Sequence, residues 1–113
     1  MIEACSFGSM VIDGKRYSSD LIIYPDGRVA DSWRRMEGHQ LNLQDITSLI
    51  KSNPEIIVAG TGVSGRMRPD RQLAQLLAAK GITFLAEANQ AAVQRYNELA
   101  TTTKVGACFH LTC

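Results

Sequence analysis

From residue 55 onward the chain alternates short apolar runs with helical stripes, and this alternation restricts its fold more than any other feature. EIIVAG (55–60) is a β-branched run of a length suited to a buried strand. Residues 69–80 carry Leu73, Leu76 and Leu77 at helical spacing. Pro69 is suited to a first helical turn, and Gly81 is the stop that tolerates the left-handed region. ITFLAE (82–87) is the next strand. Asn89 is placed to cap a helix through Leu99 with Ala92, Val93, Tyr96 and Leu99 inward, and KVGACFHL (104–111) is a last strand with Val105, Ala107, Phe109 and Leu111 on one side. Strand–helix–strand over 55–86 predicts a βαβ unit with a right-handed crossover.

The first third has a different rhythm. SMVID, RYSSDLIIY and RVADSW read as strands separated by Asp13-Gly14-Lys15 and Pro25-Asp26-Gly27, which predicts an N-terminal β meander. Between the two regions, residues 41–52 show apolar positions at 43, 46, 49 and 50. They predict a helix capped by Asn42, with Asp45 near its positive end, and ended by Asn53-Pro54. The expected architecture is α/β: one three-layer domain over residues 1–113 around a mixed central sheet.

GTGVSG (60–65) matches G-x-G-x-x-G letter for letter, follows a strand, and has Glu87 at the end of the next strand, where a ribose-binding acid would stand. In a dinucleotide fold, however, the helix begins inside the glycine motif, so that its first N–H groups meet the pyrophosphate. Here the predicted helix begins at Pro69, beyond Arg66-Met67-Arg68, and the chain has room for only one such unit. The motif therefore reads as a loop. Its glycines imply a backbone that takes positive φ or is closely approached, and it lies where open α/β sheets bind ligands. Thr61, Gly62, Arg66 and Arg68 are the candidate contact residues, with the arginines suited to a carboxylate or phosphate.

A second candidate segment runs from Trp33 to His39, in which Trp33 could stack a ring while Arg34 and His39 address an anion. The structural alternative makes Trp33 a core anchor and His39 a turn residue. Cys108 and His110 share one face of the last strand, and Cys5 or Cys113 could join them. Two histidines and three scattered cysteines match no metal-site spacing, so a packed thiol and a satisfied histidine are expected there, with no metal and no cofactor. Tyr96-Asn97 reads as a buried ring with a polar neighbour. No G-x-S-x-G elbow, H-E-x-x-H or Walker lysine occurs.

Composition narrows the classes further. Hydrophobic residues at 45% and charged residues at 20% describe an ordinary globular protein. A formal net charge of +1 supplies no global field for nucleic acid or anionic membrane, so neither is expected as a partner. An odd set of cysteines without C-x-x-C spacing predicts reduced thiols, and the absence of a signal-like or membrane-spanning apolar run predicts a cytoplasmic protein.

Taken in order, FGSMVIDGKRYSSDLII, then Trp33-Arg34 with Gly38-His39, then IIVAGTG with its arginine-bearing loop, then Ala91-Ala92 with Tyr96-Asn97, resemble a small α/β family. That family includes the mitochondrial complex I assembly factor and an adipogenesis-associated protein. The resemblance covers nearly the whole chain. It implies a three-layer fold with a mixed central sheet and a non-enzymatic role exercised through a partner protein. Where the family commonly shows an Asp-Thr pair before the last helix, this chain has Ala88-Asn89.

The sequence thus points to a binding or assembly-factor-like protein, leaning away from catalysis, whose surface comprises the 60–68 loop and the 33–39 segment. The alternative is a site for a small anion or nucleotide-like ligand at that loop, with turnover involving His39 or Glu87. Self-association as a two-fold dimer would use the same surface.

Overall fold

A computed structural model describes all residues, 1–113. The chain forms ten strands and three helices. In order they are β1 (Ile2–Ser6), β2 (Ser9–Ile12), β3 (Lys15–Tyr17), β4 (Leu21–Ile23), β5 (Val29–Ala30), β6 (Gln40–Leu41), α1 (Thr47–Lys51), β7 (Ile56–Gly60), β8 (Arg68–Pro69), α2 (Leu73–Ala78), β9 (Thr83–Glu87), α3 (Asn89–Ala100) and β10 (Val105–Phe109). The main sheet runs β5-β4-β10-β7-β9; β10, β7 and β9 are parallel, and β4 and β5 are antiparallel additions. A separate antiparallel meander, β1-β2-β3, covers part of one face.

The period-two geometry of the central strands sorts their side chains into two cores. Leu21, Ile23, Val58, Ala107 and Phe109 face α3 and the meander, packing with Ala92, Tyr96, Met10 and Ile12. Ile22, Ile57, Ala59 and Cys108 face the other way into a lower core, packing with Leu49 of α1 and with Leu73 and Leu77 of α2. β10 is buried along its whole length because it is the middle strand with a layer on each side. The three-layer architecture and mixed sheet expected from the sequence are observed.

The turns follow their residue chemistry. Asp13 and Gly14 both have positive φ, the two-residue connection that matches strand twist, and they join β2 to β3. Gly27, also at positive φ, closes the Pro25-Asp26-Gly27 turn by donating to the Tyr24 carbonyl. Asn53 and Gly81 take the left-handed region after α1 and α2, Gly81 as its sequence position implied.

Several local expectations are corrected. RYSSDLIIY is not one strand: it breaks at Ser18–Asp20, where the chain leaves the meander and enters the main sheet. The helix expected over 41–52 is split, with Gln40–Leu41 in a short strand, Leu43–Ile46 in a 3₁₀ turn and only Thr47–Lys51 in α1. The Asp45 carboxylate accepts the Asn42 N–H at the head of that turn. Pro69 does not start α2. It pairs with Leu41 in the two-stranded parallel ladder β6-β8, and the helix begins at Leu73. A proline tolerates this because the pairing leaves it at a sheet edge. Leu76 turns to solvent while Leu73 and Leu77 are buried. Asn89 opens α3 as its first residue and does not cap it; its side chain is used elsewhere. No helix is long and apolar enough to cross a membrane.

Candidate functional site

The parallel strands end together: Phe109 pairs with Gly60, and Gly60 with Glu87. The segments leaving that edge are the 61–67 loop, Ala88-Asn89, and His110 to Cys113. The antiparallel partner β4 enters at the same edge, since Leu21 pairs with Phe109, so Asp20 stands there too. The edge is where an open α/β sheet places a ligand.

Every backbone N–H from Thr61 to Arg68 is satisfied within the protein. Thr61 donates to the Glu87 carbonyl, Gly62 to Asn89 Oδ1, Val63 to the Thr112 carbonyl, and both Ser64 and Arg66 to the Cys113 carbonyl. Gly65 donates to Gly62, Met67 to Thr61, and Arg68 to the His39 carbonyl. The segment 110–113 thus lies where a pyrophosphate would sit in a dinucleotide site. Glu87, the counterpart of the ribose-binding acid, is paired with Arg95 at 3.2 Å. The glycine motif is a strand-end anchor here.

Its glycines answer to packing. A Cβ on Gly60 would stand 2.2 Å from the Phe109 ring and 2.6 Å from Asn89 Oδ1; one on Gly62, at φ +112°, would stand 2.2 Å from the Cys113 carbonyl carbon. Met67 is buried in the lower core, so the loop is pinned by a side chain as well as by its backbone. Thr61 and Gly62 are buried. Arg66 and Arg68 are exposed, and only their side chains are left for recognition.

The 33–39 segment meets this loop. Gln40 pairs with Arg68 and Leu41 with Pro69. A cavity of about 480 Å³ opens at the junction, lined by Glu37, His39, Gln40, Arg68, Pro69, Asp70 and Arg71. None of those side chains is strongly apolar apart from the proline ring. Arg34, Arg66, Arg68 and Arg71 make no ion pair; the arginines that do are Arg28, Arg35 and Arg95. Trp33 is half-buried against the lower core, its indole N–H donating to the Asp45 carbonyl at 2.9 Å, and it supports Arg35, whose guanidinium lies 4.7 Å from the ring centroid.

Behind the surface lies a cluster in which Asp20 is the hub. Its Oδ2 is 2.8 Å from His110 Nδ1 and 2.9 Å from Arg35 Nη2, while Oδ1 accepts the Leu111 N–H at 2.7 Å. The Arg35 side chain is 4% exposed and that of Asp20 17%. Burial acts to raise the Asp20 pKa, but the bonds from His110, Leu111 and Arg35 outweigh it and hold the carboxyl below its ordinary value. Arg35 also donates to the Gly38 carbonyl, and its Nη1 is buried without a partner. The His39 ring stands edge-on to that of His110 with centroids 5.7 Å apart. Cys108 is fully buried, and burial pushes its thiol up to about 12.

The structure therefore brings Arg68 and His39 together at one cavity, while Thr61 and Gly62 are buried in the loop that leads to Arg68 and do not line it. Arg34 and Arg66 project on the same two segments, and Trp33 serves as support. Asp20 and Arg35 were not singled out from the sequence. The available signal was Ser-Ser-Asp inside an apolar β run, a composition that breaks strands. Asn97, paired with both backbone polar groups of Ile2, ties β1 to α3 and is structural.

The family of unknown function DUF498/DUF598 matches residues 2–110, and the chain belongs to it. Among solved structures, the conserved hypothetical protein PH1505 from Pyrococcus horikoshii OT3 superposes with a TM-score of 0.86 at 25% identity, covering 100% of this chain and 99% of that one. The protein MT938 superposes with a TM-score of 0.84 at 28% identity over 100% and 98%. A Bordetella pertussis protein described as an Mth938-like domain shares the fold with a TM-score of 0.65 at 20% identity over 98% and 85%. The chain is thus a conserved α/β domain of a family without an assigned activity.

Proposed function

We propose that this protein is a non-enzymatic binding protein, assembly-factor-like in its mode of action, that contacts a partner protein through the face built from residues 33–39 and 60–71. The observation that supports this most directly is the β6-β8 ladder. It joins two segments distant in sequence into one face, with Arg66, Arg68 and Arg71 exposed and without ion pairs while the backbone donors from Thr61 to Arg68 are all engaged. Recognition by protruding side chains suits an extended surface better than an enclosed ligand. Each segment also presents an apolar side chain to solvent, Met36 at 76% and Val63 at 46% exposure, and interfaces favour methionine and arginine. The acid and base groups at this edge are occupied in pairs, Asp20 with Arg35 and His110, and Glu87 with Arg95, an arrangement suited to holding shape.

A photo-crosslinking residue at Val63, used in the host cell, tests this. Crosslinking to one defined protein, lost in the Arg66→Ala, Arg68→Ala double variant, is expected. Crosslinking only to a second copy of the chain would make the face a homodimer interface, and no crosslink would remove it from consideration.

The cavity between His39, Arg68 and Arg71 supports a second reading, a small carboxylate or phosphate bound there. A thermal-shift screen with such anions on the native protein and the double variant separates the two. A shift lost in the variant would assign the cavity to a small molecule.

A further inference from the structure

His39, His110 and Cys113 come from three places in the sequence, and each offers one donor atom within 4.8 Å of the other two. Two imidazoles and a thiol are the donor set of zinc-class ions, and they offer nothing to calcium or magnesium, which take oxygen. We propose that these three residues form a binding site for a divalent transition ion of the zinc class, with Asp20 orienting His110 and a fourth position left for water or an anion. This site does not depend on the partner surface proposed above.

The backbone of each donor residue is already fixed. The His39 carbonyl accepts from Arg68. His110 donates its N–H to Gly60 and accepts from the Asn89 side chain. The Cys113 carbonyl accepts from both Ser64 and Arg66. Tetrahedral zinc holds nitrogen at about 2.0–2.1 Å and sulfur at about 2.3 Å, which sets donors about 3.4–3.6 Å apart. Closing from 4.8 Å therefore needs roughly an ångström of movement. The exposed His39 ring and the Cys113 side chain can supply it by rotation about χ1.

His110 is prepared as metal-binding histidines generally are, with one ring nitrogen held by a carboxylate so that the other presents its lone pair. Its Nδ1 faces Asp20 Oδ2 at 2.8 Å, and with the proton on Nδ1, donated to that carboxylate, Nε2 is the ligand. The Nε2 neighbour is the Thr112 hydroxyl at 3.3 Å, a long contact that a rotating hydroxyl can give up. Arg35 Nη2 lies 3.0 Å from Nδ1, a positive charge that would oppose a cation, but the same nitrogen is paired with Asp20 at 2.9 Å, so the two charges offset each other. On binding, the Cys113 thiol releases its proton to solvent and the thiolate joins the metal. His39 also lines the polar cavity with Arg68 and Arg71, so an anion held there is within the neighbourhood of the open position.

Cobalt(II) titration of the reduced full chain tests the assignment, because cobalt reports a thiolate ligand by a near-ultraviolet charge-transfer band and low coordination number by intense visible bands. Saturation at one equivalent, both signatures, and displacement of cobalt by zinc are expected. Cys113→Ser should abolish the thiolate band, whereas Cys5→Ser should leave it. His39→Ala should weaken binding by at least the roughly 10–100-fold that losing an outer-sphere partner brings, and Asp20→Asn should weaken it by about that factor while keeping the thiolate band. His39 and Cys113 lie outside the core, so their variants can be checked for native circular dichroism before titration. Absence of the thiolate band, its survival in Cys113→Ser, or undiminished affinity in His39→Ala would each overturn the site.

Discussion

Asn89 Oδ1 accepts the Gly62 N–H at 3.0 Å while the Asn89 N–H donates to the Gly62 carbonyl, also at 3.0 Å, so the first turn of α3 holds the glycine loop from both sides of one residue. The same side-chain amide donates to the His110 carbonyl at 2.7 Å, so one buried residue connects all three segments leaving the parallel strand ends. Removing it leaves a buried donor and a buried acceptor without partners, each costing about 1–3 kcal/mol. Asn89→Ala should therefore destabilise by about 3 kcal/mol, read as a lower urea midpoint at unchanged slope. Asn89→Asp should also destabilise, because its carboxylate keeps the bond to Gly62 but faces the His110 carbonyl with no proton to give.

Asp20 balances a guanidinium that is almost entirely out of water. Removing one partner of a buried pair costs about 3–5 kcal/mol, since the other charge stays behind. Asp20→Ala should fall in that range by chemical denaturation, with the loss made worse by the freed Leu111 N–H. Asp20→Asn retains an acceptor for Leu111 and should lose less. An Asp20→Ala variant within about 1 kcal/mol of the native protein would mean that Arg35 reaches solvent once its partner is gone.

The legible part of this fold was the part governed by periodicity. EIIVAG, ITFLAE and KVGACFHL announce parallel strands because β-branched and apolar residues bounded by turn formers have few other uses, and Asp13-Gly14 and Gly81 fix their turns through φ alone. What stayed hidden depended on contacts between segments far apart in sequence. Pro69 reads as a helix start until Leu41 is seen beside it, and Asn89 reads as a cap until Gly62 and His110 reach it. Asp20 looks like a strand residue, and nothing local says that Arg35 and His110 converge on it. The donor set His39, His110 and Cys113 has no motif spacing at all, since it is assembled by the strand-end edge.

The glycines of the motif should differ sharply in their tolerance of alanine. At Gly60 the added Cβ meets the Phe109 ring and Asn89, both fixed in the core. At Gly62 it meets the Cys113 backbone, and the positive φ adds strain. Overpacking typically costs about 1–3 kcal/mol and occasionally more, so both variants should unfold well below the native midpoint. Gly65→Ala makes only ordinary contacts at 3.5 Å or beyond and should cost about 1–2 kcal/mol, from its φ of +69°. Equal losses at all three positions would contradict the packing account.

Thiol labelling should be selective. Cys108 is buried in the lower core with its thiol pushed up to about 12, so in the native state it presents neither access nor thiolate. Cys5 and Cys113 are half-exposed. An alkylating reagent should modify those two under native conditions and reach Cys108 only at the rate of opening, which mass spectrometry of the labelled peptides would show. Rapid native labelling of Cys108 would require the central sheet to open locally.

Tyr96 gives the pH dependence its clearest sign. Burial raises its phenol pKa, and the charge of Asp13 raises it further. The fold therefore favours the neutral phenol. Between the unfolded pKa, about 10, and the higher folded one, the native state holds a proton that the unfolded chain has released. Stability from this group is complete below about pH 10 and is lost as pH climbs through the folded pKa. Denaturation midpoints followed through the alkaline range should fall more steeply for the native protein than for Tyr96→Phe, which keeps the ring in the core it shares with Ala92, Val105 and Ala107 and has no proton to lose. Matching alkaline slopes in the two proteins would show that Tyr96 ionises without hindrance in the fold.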